Sequence, residues 1–174
     1  GGIVPTASTT SQLALGDALA LSLLKINGFS ANDFAETHPN GLLGRKLLVK
    51  IEDAMCPKDD VALVAPEFTI KDCLPIIARG KMGIAIVCDT EGAPVGVFTD
   101  GDLRRCLDAD VDINMSIIKD HMNMNFLTIN STALAVEAVE LMSNKSIGSL
   151  PVLDENGLMV GAVSMKELVA AGVV

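Results

Sequence analysis

The spacing of apolar and polar positions differs between the start of the chain and the rest of it. Over residues 10–26, leucines recur at helical spacing and are followed by Asn27-Gly28, which predicts an amphipathic helix with these bounds. Ser30 to Asp33 form a start signal for a short second helix that ends before Pro39, because proline prevents its continuation. Residues 1–49 are therefore predicted to be mostly helical.

From residue 51 onwards, one pattern of predicted helices and strands occurs twice in succession. Each copy predicts a helical turn, a strand, a helix, two strands joined by a glycine turn and a last helix. The paired strands are expected at 84–88 and 95–98 in the first copy, and at 150–153 and 159–163 in the second. The first strand of each copy is expected at 61–64 and at 126–129, and Thr132 is expected to cap a helix over residues 133–144. Five residues recur at a constant spacing of 65 positions, so that Gly83, Asp89, Gly92, Gly96 and Leu103 correspond to Gly148, Asp154, Gly157, Gly161 and Leu168.

The repeat sets the expected fold class and domain organisation. Units of this length leave their apolar strands in water unless the two copies bury them against each other. We therefore expect an α+β (mixed α/β) pair with pseudo-two-fold symmetry and a shared cleft. The predicted domains are a helical segment at residues 1–49, a first copy at 50–112 and a second copy at 113–174, with the acidic run 108–112 as a solvated linker.

Composition and charge argue against two kinds of partner. Hydrophobic residues make up 49% of the chain, aromatic residues 3%, and the mean hydropathy is +0.44. Charged residues nevertheless interrupt every apolar stretch before the roughly 18 residues that a membrane span needs, so we predict no membrane association. The net charge of −9, without any cluster of basic residues, argues against a nucleic-acid partner.

The four cysteines show no metal or disulfide pattern. No two of them are separated by two residues, and the chain has only two histidines as further ligands. Buried, reduced thiols in a cytoplasmic protein are favoured over a metal site or a disulfide framework. The sequence contains no secretory signal pattern, which also favours the cytoplasm. The cysteines are Cys56, Cys73, Cys88 and Cys106.

Several motifs, taken in order, resemble known families. Residues 96–103, together with Asp53-Ala54-Met55 and weaker echoes in the second copy, are similar to a tandem pair of cystathionine-β-synthase (CBS) domains, a Bateman module. The helical segment 1–49 resembles the end of a sugar isomerase (SIS) domain. With residues 5–10, 16–20 and 38–45 included, the whole chain resembles the D-arabinose-5-phosphate isomerases of the KpsF/GutQ family.

The resemblance implies a nucleotide site at the turn that follows the second strand of each pair. Thr99 would offer a hydroxyl near a phosphate, the helix N-terminus at Asp100 would offer amide donors, and Asp102 would accept from ribose hydroxyls. The same residues also suit simple helix capping, and the pattern alone does not choose between the two uses. Arg104 and Arg105 would add charge.

The second copy departs from this pattern, because serine and a longer glutamate replace threonine and aspartate. The apolar slot for a base is expected near residues 82–86 and 147–151, with Met55-Cys56 and Met122-Asn123 as lids. The candidate ligand-binding residues are Thr99, Asp100, Asp102, Arg104, Ser164, Lys166, Glu167, Met55, Gly83, Ile84, Gly148 and Ser149.

One histidine is a candidate catalytic residue. In the isomerase family, the histidine of a Ser-His-Pro-Gly-Gly motif belongs to the active site and reaches it from a neighbouring subunit. Here residues 37–41 read Thr-His-Pro-Asn-Gly, so the resemblance implies that His38 acts in the complete parent enzyme. By pattern alone, a histidine before proline is a loop residue. His121 has no role in the family and is expected at the surface or at the rim of the cleft.

The resemblance implies a regulatory module rather than a complete enzyme. The parent would interconvert D-ribulose 5-phosphate and D-arabinose 5-phosphate for 3-deoxy-D-manno-octulosonate (Kdo) and lipopolysaccharide synthesis, and its catalytic glutamates and phosphate loop lie upstream of residue 1. We therefore expect no turnover by this chain and no required cofactor or metal. The expected ligand is AMP, ATP or CMP-Kdo, and the expected assembly is a homodimer or tetramer. The alternative is an oligomerisation module without a ligand.

Overall fold

The computed structural model describes residues 5–30, 33, 48–80 and 82–174. The chain forms two compact units, residues 1–48 and 49–174, which are described separately. In the first unit, helix α1 (Thr6–Ile26) begins four residues before its predicted start. The reason is that the hydroxyls of Ser8 and Thr10 donate to the carbonyl oxygens of Pro5 and Thr6 instead of capping a later start. Within the described residues, every side chain of α1 is exposed.

The predicted second helix of this unit lies mostly outside the described residues. At its expected start, the Ser30 N–H donates to Asp33 Oδ2 at 2.7 Å and the Asp33 N–H donates to Ser30 Oγ at 3.2 Å. This reciprocal pair has the geometry of a helix N-terminus. His38, with the rest of its motif, also lies outside the described residues.

The second unit contains both copies of the repeat. The first copy consists of helix α2 (Ile51–Ala54), strand β1 (Cys56–Pro57), a 3-10 helix (Lys58–Asp60), β2 (Leu63–Val64), α3 (Ile70–Gly80), β3 (Ile84–Cys88), β4 (Pro94–Thr99) and α4 (Asp100–Asp108). The second copy consists of a 3-10 helix (Ile118–Asp120), β5 (Ile129–Asn130), α5 (Ala135–Lys145), β6 (Ser149–Leu153), β7 (Met159–Ser164) and α6 (Met165–Ala170).

The strand pairs of the two copies have the same register. In the first copy, Ile84 pairs with Thr99 in the antiparallel hairpin β3–β4, and β2 runs parallel to β3. In the second copy, Ser149 pairs with Ser164 in the hairpin β6–β7, and β5 runs parallel to β6. The predicted hairpins are therefore present within one or two residues, and each copy adds one short parallel strand at its edge.

Two predictions on the lesser elements were wrong in detail. The predicted first strands, 61–64 and 126–129, are reduced to two residues each, because pairing with β3 and β6 covers only their ends. Thr132 was expected to cap the following helix, but its hydroxyl donates to Asn130 Oδ1 at 2.8 Å. Helix α5 begins two residues after its predicted start, at Ala135, and the Leu134 N–H donates to the Glu137 carboxylate.

The two copies exchange their leading segments. Strand β1, from the first copy, pairs with β7 of the second copy, with Cys56 opposite Ala162. In the reciprocal place, Asn123 of the second copy pairs with Val97 in β4, through N–H to oxygen distances of 2.8 and 3.0 Å. Each half therefore completes the sheet of the other. The second copy's sheet has the order β1-β7-β6-β5 and the first copy's sheet the order β2-β3-β4.

The hydrophobic core follows the same exchange. Ile51, fully buried, belongs to the core of the second copy, with Leu150 and Leu168, whereas Ile118 belongs to the core of the first copy, with Phe98. A third cluster joins the two copies through Val61, Ile84, Ile86, Val97, Met159 and Ala162. This shared core confirms the predicted α+β fold in which two repeats bury their strands against each other. In the part of the chain that the structure describes, no helix is long and apolar enough to span a membrane.

Candidate ligand-binding cleft

An open cleft of about 840 Å³ lies where β4 ends and α4 begins, between the two copies of the repeat. The first copy contributes the end of the hairpin and the first turns of α4, and the second copy contributes the segment after Asn123 and the end of α5. Its lining residues are Met82, Gly83, Ile84, Val97, Thr99, Asp100, Gly101, Asp102, Arg105, Asn123, Asn125, Phe126, Leu127, Lys145, Ser146, Ile147, Gly148, Ser149 and Pro151.

Thr99 is the N-cap of α4, as its extended backbone at the end of β4 allows. Its Oγ1 accepts from the Asp102 N–H at 3.3 Å and donates to Asp102 Oδ2 at 2.6 Å. The Thr99 N–H donates to the same carboxylate oxygen at 2.8 Å. This reciprocal capping box fixes the turn, and it places the positive end of the α4 dipole at the cleft.

Asp102 is a buried carboxylate with both oxygens occupied. Its residue exposure is 7%, Oδ2 accepts from Thr99, and Oδ1 accepts from the guanidinium of Arg105. Arg105 is itself exposed and lines the cleft. A ribose hydroxyl that donates to Asp102 would therefore have to share Oδ1 with Arg105 or replace it.

The floor of the cleft is apolar and is closed by a contact between the copies. Ile84 and Pro151 are buried there, and Phe126 is half-buried beside them. Ser149 Oγ donates to the carbonyl oxygen of Met82 at 3.4 Å, from the second copy to the first. Gly83 has a φ of +64°, and a Cβ at this position would stand 3.1 Å from Asp100 Oδ2, so glycine suits both the turn and the space.

The charges that line the cleft nearly balance. Asp102 and Arg105 form an ion pair, which leaves the carboxylate of Asp100 on one wall and the ammonium of Lys145 on the other. Lys145 lies in the last turn of α5, and no ion pair to it occurs among the described residues. The cleft therefore offers one uncommitted cation and the N-terminus of α4 to an anionic group.

The matching turn of the second copy is built in the same way but borders a smaller space. The Ser164 N–H donates to Glu167 Oε2 at 3.1 Å, Ser164 Oγ donates to the same oxygen, and the Lys166 N–H donates to Ser164 Oγ. A second cleft of about 320 Å³ lies nearby. It is lined by Cys56, Asp60, Arg79, Gly80, Met82, Lys166 and Glu167.

The predicted ligand-binding residues fall into three groups. Those that line the first cleft are Thr99, Asp100, Asp102, Gly83, Ile84, Gly148 and Ser149. Lys166 and Glu167 line the second cleft instead. Arg104, Ser164 and Met55 line neither cleft. Met55 packs against the core of the second copy, because the exchange of β1 places its side chain over Gly161.

Sequence reasoning missed several residues of the first cleft. Phe126, Lys145 and Asn125 line it, but they are far in sequence from the Thr99 turn. Asn123, which was expected as part of a lid, also lines the cleft. The sequence contains only weak indications that the missed residues belong to the site, since Phe126 lies at the start of a predicted strand and Lys145 lies three residues before Gly148. His121 is half-buried and lines neither cleft.

The surroundings of the cysteines disfavour ionisation of their thiols. Burial raises the pKa of all four thiols, and for Cys73 it raises the pKa from 9.0 to about 11. For Cys56, the carboxylates of Asp60 and Glu167 add to the effect of burial. All four are free thiols, and no cluster of candidate metal ligands is present among the described residues.

Comparison with protein families supports the repeat. The family model of the CBS domain matches residues 51–109 and 118–173. The arabinose 5-phosphate isomerases KdsD of Yersinia pestis and Escherichia coli K12 are each 43% identical to this chain over 173 residues, or 99% of it. The KdsD of Pseudomonas aeruginosa is 42% identical over 171 residues. The chain spans about half of these relatives, 52% of each.

Comparison with solved structures gives the same fold. A structure titled CBSX2 in complex with AMP covers 70% of this chain, with 94% of its own length, at 23% identity and a TM-score of 0.62. The CBS domain pair of MJ0100, in complex with 5-methylthioadenosine and S-adenosyl-L-methionine, also covers 70% of this chain with 94% of its own, at 20% identity and a TM-score of 0.62. These structures confirm the predicted fold of a tandem CBS pair, and the sequence identity to the KdsD enzymes confirms the resemblance to the isomerases.

Proposed function

The chain belongs to the CBS-domain family, and we propose that residues 51–173 form a regulatory nucleotide-binding module of an arabinose 5-phosphate isomerase. The observation that carries the proposal is the cleft of about 840 Å³, in which the Thr99-capped N-terminus of α4 faces an apolar floor. A nucleotide needs both an anion-binding end and an apolar slot for its base. Two proteins with the same fold, CBSX2 and the CBS domain pair of MJ0100, have been solved in complex with adenine compounds.

The ligand would be held by three parts of the cleft. Its phosphate would lie at the N-terminus of α4, where Lys145 and Arg105 supply positive charge. Its base would pack on Ile84 and stack on Phe126, since aromatic rings favour such contacts. Its ribose would donate to Asp102 once Arg105 shifts from the carboxylate to the phosphate.

Regulation would follow from the fact that both copies line the same cleft. A ligand bound there contacts the first copy through α4 and the second copy through residues near Lys145 and Ser149. It would therefore favour whichever arrangement of the two copies closes the cleft. A ligand shifts such an equilibrium only by its difference in affinity for the two arrangements.

The role of the complete protein is also part of the proposal. We place this chain in a cytoplasmic homo-oligomeric enzyme that interconverts D-ribulose 5-phosphate and D-arabinose 5-phosphate for Kdo and lipopolysaccharide synthesis. The identity to the KdsD enzymes supports this activity. Residues 1–49 would be the end of the SIS domain, and His38 would join an active site across a subunit interface. This chain alone would not turn over the sugar phosphate.

Calorimetric titration tests the proposed ligand. The chain of residues 1–174 is titrated with AMP, ATP, CMP and CMP-Kdo in separate experiments. We expect heat from at least one of them, and we expect Lys145→Ala to weaken that binding, because it removes the uncommitted cation from the cleft wall. An absence of heat with all four ligands, for a sample that circular dichroism shows to be folded, would contradict the proposal.

A second candidate function is an oligomerisation module without a ligand. The observation in its favour is that both oxygens of Asp102 already have partners, so the turn is complete without a nucleotide. In that case the titrations give no heat, and light scattering finds an oligomer whose mass does not change when any of the four compounds is added.

A further inference from the structure

The two clefts of the pair differ in size although their capping turns are equivalent. Thr99 and Ser164 each cap a helix through a carboxylate three residues later, and each ends a strand of equal register. The cleft beside Thr99 measures about 840 Å³ and the one beside Ser164 about 320 Å³. Ligand-binding pockets measure roughly 300–1,000 Å³, so the second cleft stands at the lower limit of that range.

The difference in cleft size follows from the segment after β1 in the first copy and the segment after Asn123 in the second copy. After β1, the 3-10 helix Lys58–Asp60 packs against β7, and Asp60 lines the second cleft. After Asn123, residues 124–128 form neither helix nor strand, and Phe126 lines the first cleft. The residue that corresponds to Phe126 at the repeat spacing is Val61, which is buried in the core between the copies.

The chemistry of the linings differs as well. The described lining of the second cleft has four ionic side chains, and its apolar members are limited to Cys56 and Met82. No aromatic ring occurs in that described lining, whereas the first cleft has Phe126 over an apolar floor. A nucleobase needs apolar or aromatic surface on its faces. The four ionic residues are Asp60, Arg79, Lys166 and Glu167.

Two of the four ionic side chains of the second cleft are bonded to the protein. Glu167 accepts from the backbone and hydroxyl of Ser164 through one oxygen, and Arg79 Nε donates to the carbonyl oxygen of Pro75 at 3.3 Å. A ligand in this cleft would displace these bonds without gaining a slot for its base. Lys145 of the first cleft and Lys166 of the second both lack an ion-pair partner within the described ranges, so the two linings differ in apolar surface rather than in available charge.

We infer that each chain binds a single nucleotide, in the cleft beside Thr99, and that the equivalent turn at Ser164 serves only as a helix cap. This inference rests on the proposed function, and it adds the number of nucleotides bound per chain and the cleft that binds them. Ligand binding is then asymmetric: one nucleotide contacts the pseudo-symmetric pair from one side, and the cleft on the opposite side stays too small and too polar for a second.

The matched substitutions Thr99→Ala and Ser164→Ala test the inference. Both remove the hydroxyl of a helix N-cap, so their effects on folding are alike, and a difference in binding reports the ligand site. The chain is titrated calorimetrically with AMP, ATP, CMP and CMP-Kdo in separate experiments. We expect a molar ratio of one for the compound that binds, a loss of affinity of roughly tenfold or more with Thr99→Ala, and a change below about twofold with Ser164→Ala.

The outcomes separate this inference from the proposed function. A molar ratio of two, or an affinity that falls with Ser164→Ala and not with Thr99→Ala, would overturn the single site while leaving nucleotide binding intact. An absence of heat with all four compounds would overturn both statements. A crystal structure of the AMP complex gives an independent readout, with density expected beside Thr99 and not beside Ser164.

Discussion

Asp102 and Arg105 lie one turn apart on α4 and form an ion pair in which the carboxylate side chain is 9% exposed and the guanidinium 72% exposed. The two partners therefore contribute unequally to the cleft. The carboxylate is held in the capping box with Thr99, whereas the Arg105 side chain is held only by its exposed ion pair. An exposed cation beside a buried anion suits a site in which a ligand takes over one of the two partners.

Alanine substitutions of this pair are expected to differ in their effect on stability. Asp102→Ala leaves the N–H and the hydroxyl of Thr99 without their acceptor and should lower the free energy of unfolding by about 1–3 kcal/mol. Arg105→Ala removes an exposed partner and should cost less than about 1 kcal/mol. Urea unfolding followed by far-ultraviolet circular dichroism measures both. Equal losses would contradict the structural role assigned to Asp102.

The pairing of β1 with β7 requires the absence of a side chain at Gly161. A Cβ at position 161 would stand 2.5 Å from the carbonyl oxygen of Cys56 and 2.8 Å from Met55 Sδ, so Gly161→Ala must displace β1. We expect it to lower the free energy of unfolding by about 1–3 kcal/mol. Gly148→Ala is the control, since no atom lies within 4 Å of its added Cβ, and it should cost less than about 0.5 kcal/mol. Similar Tm values for the two variants would argue against the tight approach of β1.

The two exchanged isoleucines should be equally important to folding. Ile51 and Ile118 are each fully buried in the core of the other copy, so Ile51→Ala and Ile118→Ala should each cost about 2–5 kcal/mol. Because each copy depends on the other, each variant should still unfold in one transition. Leu107→Ala, at an exposed position, is the control. Denaturation with two separate steps would show that the copies fold independently.

The buried thiol of Cys73 should make stability fall at high pH. Burial raises its pKa from 9.0 to about 11, so between these values the folded protein keeps a proton that the unfolded chain has lost. Its contribution to stability is therefore full below pH 9 and is lost as the pH rises toward 11. The free energy of unfolding, measured from pH 7 to 11, should decline less steeply for Cys73→Ala than for the unchanged protein. An identical slope would refute the link to this thiol.

The hairpins and capping turns could be predicted because their signals are local. Short apolar runs on both sides of Gly92 and Gly157 indicate strands joined by a tight turn, and both glycines have positive φ. Thr99 and Asp102 stand three residues apart at the end of a strand, which is the spacing of a capping box. Short-range geometry of this kind is encoded within a few residues.

The exchanged segments could not be predicted, because their partners are distant in sequence. Strand β1 has only two residues, one of them Pro57, so it shows no alternation. Its pairing with β7 decides that Met55 faces the core, where sequence reasoning had placed it over a ligand. Phe126 and Lys145 reach the cleft for the same reason: tertiary packing, not local pattern, brings them to Thr99.

The reciprocal placement of Ile51 and Ile118 has a consequence for how such a protein arises. A single copy without its partner would have a cavity in its core where the isoleucine of the other copy packs. Its own isoleucine would be exposed to water. If the two copies were separate chains, the isoleucine of each would fill the cavity of the other, and the chains would associate through the same contacts. Gene duplication followed by fusion would then turn an intermolecular complex into an intramolecular one, without requiring any new interface.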